Sequence, residues 1–478
     1  MKGFYWLAAF LFAAPLFAQQ ASLFRIAPSG VVHLGTGLED PWMPQLLPKP
    51  SGDYYSKASK LGLKLQKQAS SLAFPRKVGA PSVLPNKNNL PVPILGRSFP
   101  GNYFNSSVPL DNYLAFNRDS QIVSVVNTTV QVYDMTDGSV SSSKTLKFFT
   151  QAAGLGGFLN NRFDPKIIYD PLADKFIAVV LNGNTPGASK IVMAFSQSND
   201  PTGDWNIYTL PGNPFNDTTW FDFPSLSITE DEVFVTGNQI KDGVSWQLGF
   251  TQSVIWQMKK APAYAGDTLI SQVWSGIGYG GRPIRNLHAV TRRSELAGSR
   301  KQYFLSNRNF DLQNDTLFFV TLSDTMGAAQ VSVEAMLLDK AYGLSPDARQ
   351  PDTSKVLATN DARVLSANLD RNTIHFAGNS IDTAHGSSGI YFGEIQQAEN
   401  PGQRSVRGWV IGFDSLDLGY PNLATMGYQN GWEPVTLIAF NHSGPNTFPG
   451  HSVMLYHNGS FSEVLRVKEG EGNLLVLN

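Results

Sequence analysis

Eight polar side chains carry most of the chemistry this sequence offers. They are Asp111, Asp164, Asp222, Arg285, Asn286, His288, Asp361 and Arg363, and each occupies or flanks the opening of a repeated segment. Carboxylates, an imidazole and guanidinium groups converging on one axis would grip a cation or a sugar. Carboxylates held at separated pKa values would cleave a glycosidic bond. The competing role is structural: such groups also cap strands and bond the backbone of neighbouring repeats. Trp220 is the aromatic expected at the surface, where its face would offer a stacking platform to a sugar. Phe221, Phe223, Trp246 and Trp256 crowd the same region and read mostly as core.

Other chemistry finds little support. Gly276-Ile277-Gly278-Tyr279-Gly280-Gly281 matches G-x-G-x-x-G, but Arg282-Pro283 follows and no helical pattern does. A dinucleotide site needs a helix N-terminus there, so a glycine-rich loop is expected. No H-E-x-x-H, G-x-S-x-G, Walker or EF-hand motif occurs. His442, His451 and His457 cluster without a ligand spacing and read as surface or turn residues. Asp134-Met135-Thr136-Asp137-Gly138 and Asp414-Ser415-Leu416-Asp417 supply too few carboxylates for the six to eight oxygens of Ca²⁺ and read as turns. No cofactor is expected, and Ca²⁺ is the one ion these turns approach. Catalytic residues are not assigned.

The elements that must position these residues are read from composition and repetition. The 478 residues hold 37 Lys+Arg against 38 Asp+Glu and no Cys. A net charge of -1 argues against nucleic-acid binding, and the lack of Cys excludes disulfides, thiolate metal sites and thiol catalysis. Residues 1–18 read as a signal peptide: Lys2, then an apolar Phe4–Phe17 run, too short to span a bilayer, with cleavage after Ala18 or Ala21. No later run is long enough for a membrane span, so an exported chain without a transmembrane segment is expected. Residues 19–100 read as a Pro-rich basic linker or pro-segment. Ten prolines fall between Pro41 and Pro100, and Lys57, Lys60, Lys64 and Lys67 would line one face of a short helix.

From about residue 108 the texture is strand, turn, strand. Lys166–Tyr169, Lys175–Leu181, Lys190–Ser196 and Trp205–Leu210 read as four antiparallel strands joined by Asp170-Pro171-Leu172-Ala173-Asp174, a Gly/Asn/Pro loop and Asn199-Asp200-Pro201-Thr202-Gly203. Similar segments open at 111, 164, 222, 287, 361 and 420. Four-stranded units repeated over this length predict an all-β fold, a β-propeller of six to seven blades spanning 101–478. Leu474-Leu475-Val476-Leu477 reads either as a strand closing the ring or as the first strand of a seventh blade.

Phe163–Leu181, Ser189–Pro214, Thr219–Asn238 and Arg282–Val290 together resemble a group of secreted β-propeller proteins from Bacteroidota, many of which carry a type IX secretion sorting domain. A fragment or a variant of such a chain, without the sorting domain, is expected. The resemblance implies a propeller fold and a secreted or cell-surface location. A remoter similarity is to sialidase-type propellers. Ser198–Trp205 is similar to an Asp-box, a structural hairpin turn, and Phe24-Arg25-Ile26-Ala27-Pro28 is similar to their F-R-I-P segment. The expected function is a non-catalytic binding or surface module, with a glycan or a cell-surface protein as partner. The alternative is a glycan-active enzyme, sialidase-like or lyase-like, working at the mouth of the central channel.

Overall fold

Residues 162–211 show how one repeat folds. Asp170 Oδ1 accepts the backbone N–H groups of Leu172 (3.1 Å) and Ala173 (3.3 Å), and Pro171 restricts φ, so the chain reverses after Arg162–Asp170. Lys175–Asn182, Lys190–Ser196 and Asp204–Pro211 then pair in sequence order, all antiparallel. Lys175–Asn182 is buried along nearly its whole length, which is why it reads as an unbroken apolar run rather than an alternation.

The computed structural model describes residues 19–38, 57–79, 90–102, 109–156, 161–292, 297–426 and 435–474. The unit recurs six times, giving an all-β propeller of six blades. The inner strands are Tyr113–Phe116, Arg162–Asp170, Thr219–Ile228, His288–Ala289, Val364–Asp370 and Asp417–Met426. The inner strand of blade 4 is short because the chain leaves it early. Thr291–Arg292 pairs parallel with Val364–Asp370 and so stitches blade 4 to blade 5.

Burial between blades supplies the core. Separate apolar clusters fill the junctions 1/2 (Val123, Val132, Ile167, Trp205), 2/3 (Ile177, Phe195, Phe221, Trp256), 3/4 (Phe234, Ile255, Phe304, Val320), 4/5 (Tyr303, Phe319, Phe376, Tyr391) and 5/6 (Phe392, Ile438, Phe440, Tyr456). Among the described residues no such cluster joins blade 6 to blade 1. The side of blade 1 facing away from blade 2 is covered instead by the Pro-rich segment. Phe99 packs on Tyr133 (6.0 Å between centroids), and Asn102 accepts from Ser124 Oγ at 2.6 Å.

Part of segment 19–100 is built into the propeller. Gln20–Ile26 adds a fifth, outer strand to blade 3, Gly30–His33 to blade 2, and Gly37–Leu38 to blade 1. The chain thus visits three blades in reverse order before blade 1 begins. The Phe24–Pro28 segment lies here, with the Phe24 ring 5.0 Å from Trp256, a packing role. Lys57–Ala73 is an α-helix. Residues 1–18 and 475–478, which hold the signal-peptide reading and most of the terminal apolar run, lie outside the described residues. Among the described residues no helix is long and apolar enough to cross a membrane.

Candidate functional site

Every inner strand has one residue in the left-handed region just before it or within its first half: Asp111 (φ 44°), Asp164 (48°), Phe223 (59°), Asn286 (55°), Asn360 (55°) and Tyr420 (53°). Asp and Asn tolerate this geometry better than other side chains, which gives Asp111, Asp164, Asn286 and Asn360 a backbone reason for their places; Phe223 and Tyr420 adopt it without that preference. The ladder shifts register beside three of them, between Phe163 and Lys166, Asp222 and Ser225, and Gly419 and Asn422.

Asparagines of the preceding blade hold these kinks. Asn127 Oδ1 accepts the Asp164 N–H at 2.7 Å, and its Nδ2 donates to Asp111 Oδ2 at 2.5 Å. Asn238 Oδ1 accepts the Asn286 N–H at 3.0 Å, and its Nδ2 donates to Asn286 Oδ1 at 2.7 Å. Asn379 Oδ1 accepts the Tyr420 N–H at 2.6 Å. The clamp therefore appears at junctions 1/2, 3/4 and 5/6. For Asp111 and Asn286 the structural role expected as the competitor is present.

Some charge remains at the channel. The Asp164 carboxyl is hydrogen-bonded to that of Asp111. Burial, then the charges of Asp111 and Asp222, push its pKa well above the ordinary carboxylate value, and Lys166 opposes them. Lys166 Nζ lies 4.9 Å from the Tyr113 ring centroid. Half-buried His288 is driven down to about 3 by desolvation and by Lys166, so its imidazole is neutral. Asp111, Asp164, Asp222 and His288 thus share one electrostatic neighbourhood around Lys166, although they come from four blades.

Arg285, Asp361 and Arg363 form a second group. Asp361 is fully buried and accepts Arg363 Nε at 2.7 Å and Nη2 at 2.6 Å, with Asn309 Nδ2 at 2.8 Å. Burial raises its pKa, but Arg363 and these hydrogen bonds outweigh burial and hold it below the ordinary value. Arg363 stacks on Phe223 (4.4 Å) and Trp246 (5.0 Å). Arg285 packs against the same Trp246 (5.5 Å) and against Phe250 and Phe310 (both 5.0 Å), donating to the carbonyls of Gln247 and Trp246. Both arginines are therefore engaged within the protein. A cavity of about 230 Å³ is lined in part by Arg285 itself, with Tyr279, Arg282, Arg308 and Phe318.

The structure corrects the reading of Trp220. It is 3% exposed and meets Phe163 edge-on at 6.4 Å, because inner strands of adjacent blades converge there and enclose it. It is a wedge between blades 2 and 3, not a platform. Half-buried Trp246 is the aromatic at the mouth. The signal for it was its place after Lys241-Asp242-Gly243, in a connection rather than a strand. The Asn127, Asn238 and Asn379 clamps, Lys166 and Tyr420 were also missed, since each acts on a partner from another blade.

The remaining motifs resolve into turns. Asp200 Oδ1 accepts the Thr202 N–H (2.9 Å), and Trp205 Nε1 donates to the Pro201 carbonyl (2.9 Å), between the third and fourth strands of blade 2. Gly278–Tyr279 and Arg282–Pro283 form a small hairpin. Asp134 accepts the N–H of Thr136, and Asp137 that of Ser139. Asp417 is held by Arg349 Nε (2.8 Å) and Nη2 (2.9 Å). His442 is fully buried on Ser452 Oγ, rather than at the surface. Among the described residues no group of three or more His, Asp or Glu is placed to hold a metal ion.

No protein-family model and no curated protein matches the chain. Solved structures do. A subtype N10 neuraminidase-like protein of influenza A from the little yellow-shouldered bat is 12% identical, over 73% of this chain and 94% of that one, with a TM-score of 0.38. The Hadza microbial sialidase Hz136 is 11% identical, over 74% of this chain and 65% of that one, with a TM-score of 0.36. The WD40 domain of SCAP from fission yeast is 8% identical, over 76% and 77%, with a TM-score of 0.34. These are likenesses of fold.

Proposed function

We propose that this chain is a secreted β-propeller that acts as a non-catalytic binding or cell-surface module, and that a glycan or a cell-surface protein meets it at the channel mouth. The observation that carries this reading is the engagement of the two arginines. Arg363 is paired with Asp361, and Arg285, which lines the cavity of about 230 Å³, donates to backbone carbonyls, so both guanidinium groups already have partners within the protein. Within electrostatic reach of Asp164 lie Asp111, Asp222 and Lys166, a mixed donor and acceptor set. Such a set suits recognition of hydroxyl groups.

Export is part of the proposal. The 1–18 leader supports it, as does the resemblance of residues 163–290 to secreted Bacteroidota propellers. Cleavage after Ala18 leaves the outer strand starting at Gln20 whole, whereas cleavage after Ala21 removes two of its residues. N-terminal sequencing of the exported protein tests this, with Gln19 the expected first residue.

One observation favours the alternative, a glycan-active enzyme. Asp164 has a raised pKa beside the carboxylates Asp111 and Asp222, the pairing of acid and base that glycoside cleavage uses. The deciding experiment is a glycan panel read for binding and for released product together. Binding without release is expected. Release that is lost in Asp164→Ala would establish the enzyme.

A further inference from the structure

In the described part of the helix Lys57–Ala73, residues 62–73, polar side chains are the most deeply buried, with Leu63 and Ala69 half-buried beside them. Between residues 62 and 73 the buried side chains are Lys67 (7% exposed) and Ser70 (0%), while Leu65 (53%) and Leu72 (83%) face solvent. Among residues 62–73, none belongs to an apolar cluster of the propeller. Polar contacts hold it. Lys67 Nζ pairs with Asp347 and donates to Thr359 Oγ1 at 2.9 Å, and Ser70 Oγ donates to the Leu344 carbonyl at 2.6 Å. Beyond the helix, Arg76 Nη1 reaches Asp417 (3.3 Å), Gly79 N–H donates to Asp414 Oδ2 (3.0 Å), and Lys77 N–H donates to the His385 carbonyl (3.1 Å).

These partners lie in the connections into the inner strands of blades 5 and 6 and between the second and third strands of blade 5. In an antiparallel four-strand blade both kinds of connection leave from one end. That end is the one bearing Asp111, Asp164, Trp246 and Asp361. Lys67 is within electrostatic reach of Asp361, and Asp347 within reach of Tyr420. The receptor for the ammonium is also built. Thr359 N–H donates to Asp347 Oδ1 at 3.2 Å, and Ser345 Oγ lies 3.2 Å from Thr359 Oγ1.

We propose that Asp347 and Thr359 form a binding site for a lysine ammonium group, that Lys67 occupies it in cis, and that the helix is thereby a displaceable cap on the channel mouth, exchanged for a lysine-bearing segment of a partner protein. The site's relevance to ligand access rests on the reading of that mouth as a binding surface. The physical argument for exchange is energetic. A helix attached through its apolar face would gain hydrophobic burial that no competitor supplies. One attached through a buried ammonium incurs desolvation, and burial does push the Lys67 pKa below its ordinary value despite Asp347. A second ammonium incurs the same desolvation, and its concentration must exceed the effective concentration of the tethered Lys67.

The test is hydrogen exchange on the full chain, with penta-lysine as the probe and penta-glutamate as the control. Penta-lysine is expected to speed exchange of the 62–73 amides at least tenfold, and penta-glutamate not to. Asp347→Asn should speed the same amides without probe. In both cases the strands Val364–Asp370 and Lys175–Asn182 should keep their protection, which reports that the propeller is folded. Lys67→Met should bind penta-lysine by calorimetry, and Lys67→Met/Asp347→Asn should bind it at least tenfold more weakly. Core-like protection of residues 62–73 in Asp347→Asn, or no response to penta-lysine, would overturn the proposal. Because no glycan enters this experiment, a silent glycan panel leaves its result standing, and a failure here leaves the binding reading standing.

Discussion

Arg285 and Arg363 share one indole: their guanidinium carbons lie 5.5 Å and 5.0 Å from the Trp246 ring centroid. With Phe223 beyond Arg363, and Phe250 and Phe310 beyond Arg285, cations and aromatic rings are interleaved across blades 3, 4 and 5. This arrangement ties the connections at the mouth to one another where no backbone ladder does.

Removing the shared ring should loosen that tie. Trp246→Ala is expected to cost about 1–3 kcal/mol, since two cation–π contacts of about 0.5–2 kcal/mol are lost with some packing. Urea unfolding measures it. A midpoint equal to wild type would mean that the stack is only a surface association.

Arg363 should prove costlier than Trp246. Arg363→Ala leaves Asp361 buried without its charge partner, a loss of about 3–5 kcal/mol. Asp361→Asn combined with Arg363→Met removes the charge on both sides and should recover much of it. A double variant no better than the single would show that packing of the guanidinium, not its charge, dominates.

Asp164 is expected to work against stability at neutral pH. Its folded pKa lies above the unfolded value, so the folded state binds the extra proton. Stability is then full below the ordinary aspartate value and falls as pH rises through the folded value. Asp164→Asn should raise the melting temperature at pH 7 and flatten this slope. Unfolding curves between pH 4 and pH 8 with the same slope in Asp164→Asn as in wild type would show the assignment to be wrong.

Glu394 should act in the opposite sense. It accepts from Tyr456 OH at 2.6 Å and lies 3.2 Å from His375 Nε2, while Thr436 Oγ1 lies 2.9 Å from His375 Nδ1, joining blades 5 and 6. Burial raises its pKa, but the hydrogen bonds from His375 and Tyr456 outweigh burial and bring it to about 2. Its contribution, about 3 kcal/mol at 1.36 kcal/mol per unit, is complete above pH 4.5 and lost as pH falls toward 2. Glu394→Gln should remove that acid dependence in a melt series from pH 6 to pH 2.

The asparagine clamps should be individually expensive. Asn238→Ala strands the buried Asn286 N–H, at about 1–3 kcal/mol. Asn379→Ala does the same to Tyr420. Equal stability of Asn238→Ala and wild type in denaturant would mean that another group takes over the bond.

How much was legible follows from the range of each interaction. Turn chemistry is local, so Asp170-Pro171 and Asn199–Gly203 declared their reversals. The six openings fall within three residues of the inner-strand starts, and in four of the six the left-handed kink at or near that start is an Asp or Asn that the segment itself displays. The all-β class, the repeated four-stranded unit and the candidate polar set were therefore properties of the sequence alone. Tertiary structure decided the rest. Whether Trp220 or Trp246 meets solvent depends on how closely neighbouring blades approach. Whether Arg363 is presented or neutralised depends on the fold of Asp361 beside it, and on Phe223 and Trp246 from blade 3. The outer strands Gln20–Ile26 and Gly30–His33 took partners more than 170 residues away, and Lys67 took one 280 residues away. Pairing at that distance is chosen by the free edges and charges of the finished ring, and a sequence read in local windows carries no sign of them.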